Sequence, residues 1–159
     1  MAKKNKSHLI SHGVVAENRK ARHQYSIEDS IEAGIILMGS EVKALRAGKA
    51  SMNESYAGVK NDRIYLFNLH IPALLNANKF DHHEPRRAKE LLLHKRQIHK
   101  IMGALQQQGY SLIPLRAYFN DKGILKILLG LAKGKKQIDK RETIKQRDWD
   151  RRAHRLLKN

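Results

Sequence analysis

The chain has 159 residues, enough for one domain with a substantial core and too few to expect two. With no cysteine it offers no disulfide framework and no thiolate metal centre, and it has no apolar run long enough to cross a bilayer. Its 32 Lys and Arg stand against 15 Asp and Glu, a net of +17; self-repulsion of that size calls for a polyanionic partner, and without a basic amphipathic helix of broad apolar face that partner is expected to be nucleic acid in the cytoplasm rather than a membrane.

Residues 1–13 mix Lys3, Lys4 and Lys6 with Ser, His and Gly without periodicity and read as a mobile basic arm. A short apolar run, Val14–Val15–Ala16, leads into the basic turn "ENRKARHQY". Residues 25–38 alternate. Ile27, Ile31, Ala33, Ile35 and Leu37 share one face of a predicted strand, Glu28, Ser30, Glu32 and Gly34 share the other, and Asp29 on the apolar face predicts a bulge. "GSEVKALRAG" predicts a short helix with Ser40 as N-cap, Glu41 in the first turn and Gly48 at its end.

"SYAGVK" and "RIYLFNLHI" read as two strands joined by Asn61–Asp62, a pair that tolerates tight hairpin geometry. Leu91–Leu93 read as a short strand with Leu91 and Leu93 inward and Leu92 outward, because Leu93 would lie opposite the helical stripe Ile98, Ile101, Met102 and Leu105. That helix is predicted from about His94 to Gly109. "YSLIPLRAYF" and "GILKILLGLAKG" close the domain as two strands. About six strands and two helices without a βαβ rhythm give a fold that is mainly β with short helices, for which a small antiparallel Greek-key barrel is expected over residues 14–132.

Residues 133–159 carry eleven Lys and Arg against four acids, with Ile138, Ile144, Trp149, Leu156 and Leu157 as the larger apolar side chains. So little apolar surface cannot offset the ordering entropy, yet the stretch lacks Pro and places Asp148 near Arg152 and Glu142 near Lys145 at helical spacing. A basic C-terminal tail that is disordered when free and helical when bound is therefore expected, with the lone Trp149 as its anchor.

The chemistry-bearing residues point to binding. Arg19, Lys20, Arg22 and His23 precede Tyr25, types that contact phosphates and stack on bases, and Glu32 and Leu92 are placed outward on strands. Lys133, Lys135 and Lys136 read as point charges toward a nucleic-acid backbone, since "GLAKGKK" lacks the spacing and the Ser or Thr of a phosphate loop. His94 and His99 are five apart and face different sides of a helix, so no metal site is expected. A nuclease built on His82, His83 and Glu84 is the sharpest enzymatic rival, and no catalytic framework supports it.

The motifs "ENRKARHQY", "EAG" followed by "GSEVKALRAGKA", "ESY", "LLLHKRQI", "GYSLIPLRAYF" and "LAKGKKQIDKRETIKQRDW" resemble the SsrA-binding protein family over residues 16–158. The resemblance implies an OB-like barrel that binds the tRNA-like domain of transfer-messenger RNA and enters the A site of stalled ribosomes in trans-translation, with a tail that becomes helical in the empty mRNA channel. It implies a monomer with no catalysis and no cofactor. It places RNA contacts on Asn18, Glu32 and Leu92, and ribosomal decoding-region and mRNA-channel contacts on Gly134, Lys135, Lys136, Asp139, Lys140, Arg141 and Trp149. Two departures stand out. Ile138 replaces a histidine found in some members, and Lys89–Glu90 replaces Arg-Lys, reversing the sign of one expected contact. The remaining rival is a general ribosomal or structured-RNA-binding barrel without a dedicated RNA.

Overall fold

A computed structural model describes residues 9–74, 82–135 and 137–156, the side chains of 137–139 and 156 excepted. In chain order the elements are β1 (Gly13–Glu17), α1 (Ala21–Gln24), β2 (Tyr25–Ile35), α2 (Gly39–Arg46), β3 (Tyr56–Lys60), β4 (Arg63–Phe67), β5 (Lys89–Leu92), α3 (Lys95–Leu105), β6 (Tyr110–Phe119), β7 (Leu125–Gly134) and α4 (Gln137–Leu156).

Every strand pairing is antiparallel, in the order β1-β6-β3-β4-β5-β2-β7, and a further pairing of β6 with β7 closes six strands into a barrel with β1 added outside the ring. Closure leaves the six strands of the ring without a free edge. The ring is thinnest between β3 and β6, which pair only through Ala57 and Leu112. Pro114, which has no N–H to donate, lies between that point and the stretch of β6 that pairs with β1. The β3–β4 hairpin turns on Asn61 and Asp62, both at positive φ (50° and 56°), with Lys60 opposite Arg63; this is the two-residue geometry whose twist suits antiparallel strands.

The interior is one apolar cluster in which Ile64, Leu66, Leu69, Ile71, Ile101, Ile127 and Leu129 are fully buried. A second cluster lies on the outside of the barrel, where Ala21 of α1 covers Ile113, Leu115 and Ala132, with Tyr25, Ile27 and Leu128 beside them. Gly130 makes that cover possible. A Cβ there would stand 3.0 Å from Leu115 Cδ1 and 3.2 Å from Ile27 Cγ2. Gly130→Ala should therefore lower stability by about 1–3 kcal/mol through overpacking, read as a shifted denaturation midpoint; an unchanged midpoint would show that this outer cluster can relax.

Several expectations shift in register or role. The bulge at Ile27/Asp29 is present, but β2 ends at Ile35; Ile36 makes a last bond from its N–H to Glu90 O at 3.0 Å, and Ile36 and Met38 are exposed. Seven strands form instead of six, since Val14–Val15–Ala16 becomes β1 on β6. The helix α2 is capped at Met38, whose N–H donates to Glu41 Oε2 at 2.7 Å. Ser40, the expected cap, lies inside the helix with its hydroxyl 2.9 Å from His83 Nδ1. Leu91 is buried, Leu93 packs against the core and Leu92 is out, as the period-2 reading required. Residues 1–8 of the expected arm lie outside the described residues. Ile10 is not free: its N–H donates to Arg46 O at 2.6 Å and its side chain packs on the core.

Beneath the barrel end sits a buried ion cluster. Glu41 and Lys89 are both fully buried, 3.6 Å apart, and Arg87 reaches Glu41 at 2.7 and 3.1 Å. Lys89 Nζ also donates to Arg87 O at 2.8 Å. Burial pushes the Lys89 amine down, with the Glu41 charge opposing. Burial pushes the Glu41 carboxyl up, but hydrogen bonds from Arg87 and the Met38 N–H and the Lys89 charge outweigh it and hold it below the ordinary range.

Candidate nucleic-acid interface

Because β1, β6, β7, β2 and β5 are neighbours, residues far apart in sequence form rows on the barrel's outer face. One row runs Glu17, Arg116, Leu128, Glu32; the next runs Val14, Tyr118, Lys126, Gly34, Leu92. Both rows point outward, since their strand neighbours Ala117, Ile127, Ala33 and Leu91 are buried. Glu32 and Leu92, singled out from the sequence, are thus brought together. Leu92 is 51% exposed. It lies across Gly34, where a Cβ would meet Leu92 Cβ at 3.2 Å; the room that glycine leaves is taken by Leu92 itself rather than by a partner's backbone.

Glu32 accepts a hydrogen bond from the Tyr118 hydroxyl. Burial, that hydrogen bond and the Glu32 charge push the phenol up to about 12, so it stays a donor. Further along β2, Tyr110 donates to Glu28 Oε2 at 2.6 Å, Lys133 lies 4.5 Å over the Tyr110 ring, and Lys100 of α3 donates to Asp29 at 2.6 Å. The Lys100 hydrogen bond, with the Ser30 N–H, holds the Asp29 carboxyl below the ordinary range. Acids on β2 therefore orient cations and phenols at the surface.

The basic turn sits beside this face. Asn18 is buried: its amide donates to Pro114 O at 3.3 Å, its Oδ1 accepts from the Ala21 N–H at 3.2 Å, and its own N–H donates to Leu115 O at 2.9 Å. Its side chain holds the turn rather than meeting solvent, while Arg19, Lys20 and Arg22 are exposed. His23 is half-buried, and its Nδ1 is buried without a hydrogen-bond partner. A shallow depression lined by Arg22, Tyr25, Ile27, Leu128 and Lys135 joins the turn to the start of the tail.

The tail leaves from that point. β7 runs to Gly134, two residues past the expected domain limit, with Lys133 opposite Ser26 and Gly134 opposite Tyr25. Lys135 then donates from its backbone to Gln24 O at 3.0 Å and from Nζ to Arg22 O at 3.1 Å. Helix α4 follows, with Asp148 4.0 Å from Arg151 and Gln146 donating to Asp150 at 3.1 Å. Arg141 is exposed, Lys140 half-buried, and Trp149 is 68% exposed. Lys136 and the side chains of Ile138 and Asp139 lie outside the described residues.

Glu90, the sign reversal, is paired: Arg63 on β4 reaches both its carboxylate oxygens at 2.9 and 3.1 Å. A basic neighbour across the strands therefore compensates the acid. The nuclease reading loses its geometry. His83 is buried, and because a carbonyl only accepts, its Nε2 donates to Ile71 O at 2.9 Å while Nδ1 meets Ser40. No group of three or more His, Asp or Glu among the described residues is placed to hold a metal, and no described helix is long and apolar enough to cross a membrane.

Arg116, Tyr118, Lys126 and Gln97 were not singled out from sequence. The first three are outward positions in strands whose alternation was read, so the pattern contained them; Gln97 reaches the face only because α3 begins beside β5.

A family model described as SmpB protein matches residues 15–159. A chain from Afipia carboxidovorans called SsrA-binding protein is 60% identical over 145 residues, 91% of this chain and 92% of the relative. Another of that name from Rhodopseudomonas palustris (strain HaA2) is 56% identical over 158 residues, 99% of this chain and 98% of the relative. A solved chain from work described as "tmRNA-SmpB: a journey to the center of the bacterial ribosome" is 46% identical, superposes with a TM-score of 0.62, and covers 76% of this chain and 84% of its own length.

Proposed function

We propose a function from the premise that the chain belongs to the SmpB protein family: it is an RNA-binding ribosome-rescue factor of trans-translation. Its OB-like barrel binds the tRNA-like domain of transfer-messenger RNA and brings it to the A site of a stalled ribosome. The tail enters the empty mRNA channel. The observation that carries this reading is the outer face that joins Glu32, Leu92, Tyr118 and Lys126 beside a basic turn, with the tail rooted at the same turn through Lys135.

The roles divide along that geometry. Arg19, Lys20 and Arg22 meet phosphates, His23 and Leu92 meet bases, and Asn18 acts by holding the turn that presents them. Gly134, Lys135, Lys136, Asp139, Lys140, Arg141 and Trp149 serve the ribosome. The protein works in the cytoplasm as a monomer and supplies no catalytic group. Its tail orders on the ribosome, because Ile144 (45% exposed) and Trp149 (68% exposed) leave apolar surface open to a partner.

Binding measured at one fixed salt concentration tests the barrel's part. Leu92→Ala and Glu32→Ala should each weaken affinity for the tRNA-like domain about tenfold without shifting the melting curve, and bulk tRNA should fail to displace transfer-messenger RNA. Unchanged affinity in both variants, or equal competition by tRNA, would return the chain to a general RNA-binding barrel.

A further inference from the structure

The recess between β2, β5 and the first turn of α3 is lined by Glu32, Gly34, Leu92, Gln97 and Lys126. Two of its polar side chains are held in place. Gln97 Oε1 accepts the His94 N–H at 3.0 Å, closing the N-terminus of α3; its amide nitrogen, with two donors, is therefore directed away from the helix end. Tyr118 donates to Oε2 of Glu32, which leaves Oε1 and the second lone pair of Oε2 as acceptors. Lys126 adds a cation, and Leu92, half-exposed over Gly34, supplies an apolar wall.

A carboxylate acceptor facing amide and ammonium donors beside an apolar wall is complementary to one base edge. Guanine alone presents two adjacent donors, N1–H and N2–H2, next to an acceptor, O6. Adenine and cytosine would turn a ring-nitrogen acceptor toward the carboxylate, and uracil flanks its single donor with two acceptors. We propose that this recess takes an unstacked guanine of the bound RNA: Glu32 accepts from N1–H and N2–H2, Gln97 and Lys126 donate to O6, and Leu92 covers the ring. Glu32 then excludes the other bases at the N1 position, and Gln97 adds to that specificity by requiring an acceptor at O6. The inference rests on the RNA-binding reading above and goes further by naming the base.

The substitution Gln97→Glu isolates the point, because a carboxylate keeps the acceptor that caps α3 and removes the donors. With full-length protein on the tRNA-like domain, glyoxal modification of guanine N1 and N2 should show an unpaired guanine protected by the wild type and exposed in Gln97→Glu. Replacing that guanine by adenine should weaken wild-type binding about tenfold and weaken Gln97→Glu binding by less, a coupling that a general charge effect would not produce. No protected unpaired guanine, or a guanine-to-adenine penalty that is undiminished in Gln97→Glu, overturns the proposal while leaving RNA binding intact. Failure of the wild type to bind the RNA would instead overturn the function it rests on.

Discussion

A chain ending at Lys135 should bind the tRNA-like domain within about twofold of the full chain and should support no detectable tagging of proteins on stalled ribosomes. The cut belongs after Lys135 because the barrel needs what precedes it. Lys133 and Gly134 are ladder partners of Ser26 and Tyr25, and Lys135 binds Gln24 and Arg22. A cut after Leu131 would strip the end of β7 and loosen the basic turn, confusing loss of the tail with damage to the RNA face. Helix α4 contributes little to the barrel, since Ile144 and Trp149 are both exposed. The melting temperature of the shortened chain should therefore stay within a few degrees of the full chain's. Parallel assays of RNA affinity and of tag addition check this, and loss of both together would refute a division into a binding barrel and a ribosomal tail.

Glu41→Ala should lower stability by about 3–5 kcal/mol. The carboxylate is fully buried between Lys89 and Arg87, and its removal leaves the buried Lys89 ammonium without its charge partner. Lys89→Met in the wild-type background costs less, because Glu41 keeps Arg87 and the Met38 N–H. The sign with pH follows from the carboxyl. Its folded value lies below the ordinary 4.5, so the stabilisation is complete above the unfolded value and is lost as pH falls through that value toward the folded one. Urea unfolding at neutral pH and near pH 4 reads both effects. Equal midpoints for Glu41→Ala and wild type at neutral pH would show that the cluster contributes nothing net.

How far the sequence reached depends on whether a feature is local. The alternation of residues 25–35, the outward Leu92 and the Asn61–Asp62 turn were legible because side-chain direction in a strand follows from position alone. The caps were less so. Ser40 had the right chemistry for an N-cap, yet the helix begins earlier and its hydroxyl serves His83. Asn18, expected as an RNA contact, and Lys89 are both buried, and no local pattern announces it, because their partners, Pro114 O and Glu41, are 96 and 48 residues away in sequence.

By itself the sequence determined a basic, cysteine-free, mainly β chain, its inward and outward strand positions and a tail too polar to pack, since charge and periodicity are properties of neighbouring residues. Only the tertiary structure decided which outward positions share a row, that Arg63 compensates Glu90, that Gln97 and Glu32 line one recess and that Lys135 is tied to the barrel. Strand order is set by barrel closure among distant segments, and no local pattern encodes it.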